Sequence, residues 1–179
     1  MFILIGEILP HIAKNIELLM EFEYDENLKN KLNSFLDAII NAKNIFVFGV
    51  GRSGLVGKAF AMRLMHLGFN AYVVGETICP SFKEGDLLIV ISGSGETTLT
   101  KEIAKKADNV VAITCNIPNT LAKISNIWIP ICISKNEYLP LGTAFEFMAF
   151  IFLDVVVALL MKRLGISENE MKDRHCNLQ

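Results

Sequence analysis

The run Leu87-Leu88-Ile89-Val90-Ile91 contains no polar residue, and it passes directly into Ser92-Gly93-Ser94-Gly95-Glu96-Thr97. Side chains alternate between the two faces of a strand, so a strand apolar at every position must be covered on both faces. Such a strand belongs in the middle layer of a stack. Four other short apolar runs, at 44–48, 71–74, 109–114 and 127–133, read as its partners. Between them lie helix-like segments at 53–67, 96–107, 120–124 and 143–163, and a last short helix at 167–174 has Ser167 at its start and Glu170 three residues on, the pattern of a capping box. Strands alternating with helices predict a parallel five-stranded sheet with helices on both faces, a three-layer α/β sandwich.

Residues 1–42 form a helical lead-in to this core. Residues 2–22 read as a helix interrupted near Pro10. Residues 25–42 carry Leu28, Leu32, Phe35, Leu36 and Ile39 on one face. With no repeat and no Pro/Gly/Ser linker, residues 1–179 are expected to form one domain, with the α/β core at 43–179. Two stretches invite a membrane reading. Residues 1–9 are apolar but lack a basic segment before them and a small-residue cleavage site after them. Residues 144–161 are long and apolar, but Glu146 and Asp154 interrupt them. A buried helix at a subunit interface is the expectation there, and an apolar fraction of 52% agrees with surface hidden in an oligomer. A net charge of −2 supplies no basic face for nucleic acid. The four cysteines show no C-x-x-C spacing and read as reduced thiols in the cytosol. The three histidines lack zinc-ligand spacing, so no metal is expected.

In a sheet of this kind ligands bind beyond the carboxyl ends of the strands. The first strand ends in Gly49-Val50-Gly51-Arg52-Ser53-Gly54. Its glycines allow a close approach to an anion, and the helix that follows offers free N–H groups. The same residues satisfy G-x-G-x-x-G, and Glu76 stands near the position of a ribose-binding acid, so a nicotinamide enzyme is a rival reading. The loop 92–98 counts against it. Ser92, Ser94 and Thr97 place hydroxyls between glycines after a core strand, and a dinucleotide site has no use for a second such loop. No Walker lysine is present, so the expected ligand is a phosphate monoester, without magnesium. A plain turn with Ser/Thr helix capping is the bland alternative.

These loops, with FVFGVGRSG at 46–54, AMRLMHLG at 61–68, VGET at 74–77, YLPLGT at 138–143 before Phe145-Glu146, and RHCNL at 174–178, give the chain its resemblance. It resembles the sugar isomerase (SIS) domain, a flavodoxin-like fold, and within it the archaeal 6-phospho-3-hexuloisomerase family. The resemblance implies interconversion of 3-hexulose 6-phosphate and fructose 6-phosphate through an enediol, in the ribulose monophosphate pathway. It further implies a homotetramer with sites between subunits, and no metal or organic cofactor. Ser92, Ser94 and Thr97, with Gly51, Arg52 and Ser53, would hold the phosphate. Glu146 and His175 would be catalytic.

Chemistry supports those roles. Moving a carbonyl to the next carbon needs one base poised over both. Glu146 stands at the start of an apolar helix, where it serves as base or merely complements the helix dipole. His175 can shuttle protons between oxygens or open the sugar ring. A terminal tail often frays, and a disordered tail is the bland alternative; the resemblance implies instead that His175 reaches the site of a neighbouring subunit. His66 and Arg63, in the 61–68 helix, are second-rank candidates, since a histidine among apolar helical residues is more often core or interface. Arg52 could contact substrate oxygens or phosphate, and Glu76 and Thr77 could contact sugar hydroxyls. Asn126 and Glu96 depart from the family pattern. Asn126 looks structural, whereas Glu96 would weaken phosphate binding if it pointed inward. Rival functions are another sugar-phosphate isomerase of this family, such as one for sedoheptulose 7-phosphate, and a non-catalytic sugar-phosphate sensor. No DNA-binding or CBS-like extension accompanies the domain, which favours catalysis.

Overall fold

Five apolar strands pair in one parallel sheet, in the order β2-β1-β3-β4-β5. In the computed structural model, which describes residues 5–115 and 118–178, they are β1 (Ile45–Gly49), β2 (Ala71–Val73), β3 (Leu87–Ile91), β4 (Val110–Cys115) and β5 (Ile127–Ile131). The helices are α1 (Ile5–Leu19), α2 (Glu21–Tyr24), α3 (Glu26–Asn41), α4 (Arg52–His66), α5 (Thr98–Ala104), α6 (Thr120–Ile124), α7 (Thr143–Leu164) and α8 (Glu168–Asp173). The chain grows outward in both directions from the β1/β3 pair, a topology whose switch point lies between those two strands.

Alternate strand residues divide between two cores. Ile45, Val47, Leu87, Ile89, Ile91, Val111 and Ile113 face a large cluster built with α3, α4 and α7. Phe46, Phe48, Leu88, Val90, Val110 and Ala112 face a smaller one closed by Ala104 of α5 and Leu121 of α6. This is the expected three-layer sandwich. Asn126 is structural: it accepts a hydrogen bond from Val110 N (2.7 Å) and donates its own N–H to Val110 O (2.9 Å), so it fixes β5 beside β4. The Ser167–Glu170 capping box is formed as expected.

Three local expectations change. α1 runs through Pro10 instead of breaking there. A proline removes one helical hydrogen bond, to the carbonyl of Gly6, and the rest of the helix is anchored beyond it at buried Asn15. The lead-in then splits, since α1 stops at Leu19 and α2 starts at Glu21; residues 2–4 lie outside the described residues. Finally α5 begins at Thr98 rather than at 96, because Thr97 is extended (φ −60°, ψ 117°) and Glu96 belongs to the loop.

α7 is apolar on every side. Phe145, Met148, Phe152, Leu153 and Val156 are buried on the sheet, while Phe147, Phe150 and Val155 are exposed on the opposite face. The helix is long and apolar enough to cross a membrane, yet half of its most apolar stretch is covered within the fold.

The turn from β1 into α4 depends on two glycines. A Cβ on Gly54 would lie 2.6 Å from Gly49 O, and one on Gly49 would lie 2.8 Å from the Ser53 carbonyl carbon. Both contacts are to backbone, so no side chain can move aside. Strand end and helix start therefore touch directly, which sets where Ser53 sits. Gly54→Ala is expected to lower stability by about 1–3 kcal/mol, the cost of overpacking. Urea denaturation measures it, and an unchanged midpoint would mean that strand and helix can separate freely.

Candidate functional site at the carboxyl edge of the sheet

A cavity of about 1030 Å³ opens over the carboxyl ends of β1, β3, β4 and β5. Ser53 reaches it from the first residues of α4, whose N-cap is Gly51 in the positive-φ region (61°). Ser92, Gly93, Ser94, Glu96 and Thr97 form one wall, and Glu146 and Phe145 form another. The structure thus brings together Ser53, Ser92, Ser94, Thr97 and Glu146.

The 92–97 loop is held by its own bonds and by β4. Ser92 Oγ and Thr97 Oγ1 are 3.2 Å apart, and Ser94 Oγ accepts from Glu96 N at 3.1 Å. Thr114 Oγ1 and Cys115 N both donate to Gly93 O, at 3.2 and 3.1 Å. Beneath the loop the Phe145 ring fits against Gly93, where a Cβ would come within 3.0 Å of it.

Glu96 has a defined task. Its carboxylate accepts from Thr120 N (2.7 Å), Thr120 Oγ1 (3.0 Å) and Lys101 Nζ (3.0 Å). The Thr120 backbone N–H, then Lys101, then the Thr120 hydroxyl hold its pKa down to about 2. Beside it Gly95, at φ 64°, crosses Asn119 so closely that a Cβ would collide with that side chain, and Gly95 O accepts from Leu121 N at 3.1 Å. The negative charge is therefore spent on the start of α6, and it ties the hydroxyl loop to a second element.

Glu146 lies in the first turns of α7, its side chain only 13% exposed, and forms an ion pair with Arg52 Nε through Oε2. Its Oε1 turns toward Gly142 at the cavity lip. Arg52, expected to meet the ligand, thus meets Glu146, and it also lies over the Phe147 ring, 6.0 Å from the centroid.

Other candidates are elsewhere. Glu76 and Thr77 follow β2, the edge strand; both are exposed, and Glu76 pairs with Lys58. His66 ends α4, whose 15 residues carry it about 21 Å from the Arg52 end at ~1.5 Å per residue. There His66 is buried and stacks on His175, with ring centroids 5.0 Å apart and planes at 25°. Arg174 fixes the tail by donating to His66 O (3.0 Å), closing the C-terminus of α4. Burial, then the charges of His175 and Arg63, push the His66 pKa below its ordinary 6.5. Within one chain His175 and Glu146 stand at opposite ends of α4.

Asn119, Lys135 and Leu141 also line the cavity, and none of them was a site candidate from sequence. Asn119 caps α6 by accepting from Ala122 N at 2.9 Å. Leu141 is fully exposed and has positive φ (56°), a strained conformation for a branched residue that sequence does not announce.

Comparison with known proteins matches residues 38–158 to the SIS domain. The 3-hexulose-6-phosphate isomerase of Methanocaldococcus jannaschii is 51% identical over 176 residues, which span 96% of this chain and 97% of that one. The 3-hexulose-6-phosphate isomerase of Bacillus subtilis is 41% identical, over 80% of this chain and 84% of its own. A hypothetical protein of Methanococcus jannaschii, from whose crystal structure a molecular function of 3-hexulose-6-phosphate isomerase was inferred, superposes with a TM-score of 0.93 at 50% identity, covering 97% of this chain and 99% of that one.

Glu96→Gln removes the charge that clamps the loop to α6. Amide hydrogen exchange across 92–97 is expected to quicken while the sheet stays protected; unaltered exchange would assign the loop's order to Gly95 and Asn119 instead. His66 gives a second test. Its depressed pKa means the unfolded chain takes up a proton first, so the stability it contributes is present above about 6.5 and is lost as pH falls through that value toward the folded pKa. Tail protection at 174–176 should weaken over this window, and a flat profile would remove the histidine pair from the anchoring of the tail.

Proposed function

Because the chain belongs to the SIS domain family, we infer its chemistry from the cavity and from these relatives together. It is a sugar-phosphate isomerase that interconverts 3-hexulose 6-phosphate and fructose 6-phosphate. The observation that carries the residue-level reading is that four hydroxyls, from Ser53, Ser92, Ser94 and Thr97, share one cavity with the Glu146 carboxylate, which an arginine positions.

In this reading the phosphate lies in the 92–97 loop, with Ser53 beside it, and the sugar extends toward Glu146. In the open-chain 3-ketose the proton on C2 is acidified by the neighbouring carbonyl. Glu146 removes it, the C2–C3 enediol forms, and the same carboxylic acid returns the proton to C3, leaving the carbonyl on C2. One proton must also pass from O2, which becomes the carbonyl oxygen, to O3, which becomes a hydroxyl. Arg52 holds the Glu146 carboxylate in place for the first step, and hydroxyls already lining the cavity bind the anion with little reorganisation.

His175 is the proposed shuttle for the oxygen protons, acting in a neighbouring subunit. The support is its distance from Glu146 in its own chain together with the apolar surface that a second copy could cover: Leu55 and Met62 on α4 and Phe147 and Phe150 on α7 are exposed on either side of a shallow groove between the two helices. A homotetramer in the cytoplasm is the proposed assembly, the whole of 1–179 acting as one unit. In the ribulose monophosphate pathway the reaction would follow aldol addition of formaldehyde to a pentulose phosphate.

The test runs the isomerase in reverse. Fructose 6-phosphate is supplied, and 3-hexulose 6-phosphate is read through its aldolase as released formaldehyde. Glu146→Gln should reduce turnover about 10²–10⁴-fold, the range for loss of a general base, with fructose 6-phosphate still bound; retained turnover would remove Glu146 as base. Co-expressed Glu146→Gln and His175→Ala chains should recover activity that neither has alone, because mixed sites then hold both native side chains. Hybrids without activity would return His175 to its own chain or to a structural role.

A further inference from the structure

We propose that Lys135 supplies the counter-charge for the substrate phosphate, and that buried Asn15 of the N-terminal helix positions it. This rests on the reading of the cavity as a sugar-phosphate site. A phosphate monoester carries between one and two negative charges at neutral pH, its second pKa being near 6. The hydroxyls of the 92–97 loop and of Ser53 offer donors but no net charge. Two carboxylates, Glu96 and Glu146, line the same cavity. Their cations are committed: Lys101 to Glu96 and Arg52 to Glu146. Lys135 also lines the cavity, and none of the ion pairs among the described residues includes it. Its charge reaches the cavity floor, where it opposes the upward push that burial gives the Cys115 thiol.

The backbone on either side of Lys135 is fixed. Asn15, with no exposed surface, donates to Ser134 O (3.1 Å) and accepts from Ser134 N (2.7 Å), a reciprocal pair that spans 119 residues of sequence. On the other side Asn136 Oδ1 accepts from Tyr138 N (2.9 Å) and Leu139 N (3.1 Å). A segment without helix or strand is thereby held at both neighbours of the lysine. Lysine suits the task, since its ammonium is a mobile point charge that can follow a phosphate without demanding a bidentate geometry. The lead-in helix thus acquires a role in the site although it lines no part of the cavity.

The experiment is isothermal titration of the full chain and of Lys135→Gln, Lys135→Arg and Asn15→Ala with fructose 6-phosphate and, separately, with inorganic phosphate. Loss of one charge-assisted contact is expected to weaken both ligands about tenfold or more in Lys135→Gln. Lys135→Arg should recover most of that loss. Asn15→Ala should weaken both ligands in the native background and add nothing when combined with Lys135→Gln; a further loss in the combination would remove Asn15 as the positioning residue. In turnover the effect should fall on KM. Equal affinity of Lys135→Gln and the native protein for both ligands would overturn the proposal, as would a defect confined to kcat, which would place Lys135 at the reacting oxygens. Should the native protein bind inorganic phosphate but not fructose 6-phosphate, the substrate reading fails while the lysine test still stands on phosphate.

Discussion

β1 and β3 lie in unbroken parallel register from Ile45 and Leu87 to Gly49 and Ile91. Both strands are buried on both faces, so their carboxyl ends finish at the same height and neither can slip without turning apolar side chains out of two cores at once. Both hydroxyl-bearing segments of the site start from those two ends. Ser53 follows one and the Ser92 loop follows the other. Because the crossovers leave in opposite directions from this pair, no helix covers the gap between the loops, and a cavity opens there.

The charges around that gap are arranged before any ligand arrives. Each acidic group lining it is already engaged, Glu96 in holding a loop and Glu146 in meeting Arg52. A carboxylate fixed in this way repels an incoming anion less than a free one, since its field is largely cancelled nearby. The two have opposite duties. Glu96 is bound by three donors and serves as a strut, whereas Glu146 keeps one oxygen turned toward the cavity lip. Position on the fold separates them, since both are glutamates that follow a glycine-containing turn.

Sequence disclosed the strands, the layering and the hydroxyl loop, because each is a local pattern: uninterrupted apolar runs, and hydroxyls alternating with glycines at a strand end. Glu146 was visible as an acid at the mouth of an apolar helix. What sequence could not disclose depends on long-range approach. The orientation of Glu96 is decided by Thr120, and the setting of Lys135 by Asn15, which is distant in the chain. The start of α5 moved because Glu96 found a better partner outside the helix than in it. Glu76 read as a rim residue, but β2 lies at the sheet edge, where Glu76 stands outside the cavity lining and pairs with Lys58. His175 was legible as a residue to watch; its stacking on His66 at the far end of α4 was not.

The register of β1 with β3 also has a bearing on how the chain matures. A chain emerging from synthesis presents Ser53 well before residues 92–97 exist, and Asn15 well before Ser134. Half an anion cradle closes nothing. Pairings of such long sequence separation form late and slowly, so ligand cannot guide the early steps. Once the pairings are made, a bound sugar phosphate favours the completed fold alone and shifts the balance by mass action. Substrate concentration then bears on how much of the chain is folded as well as on how fast it works.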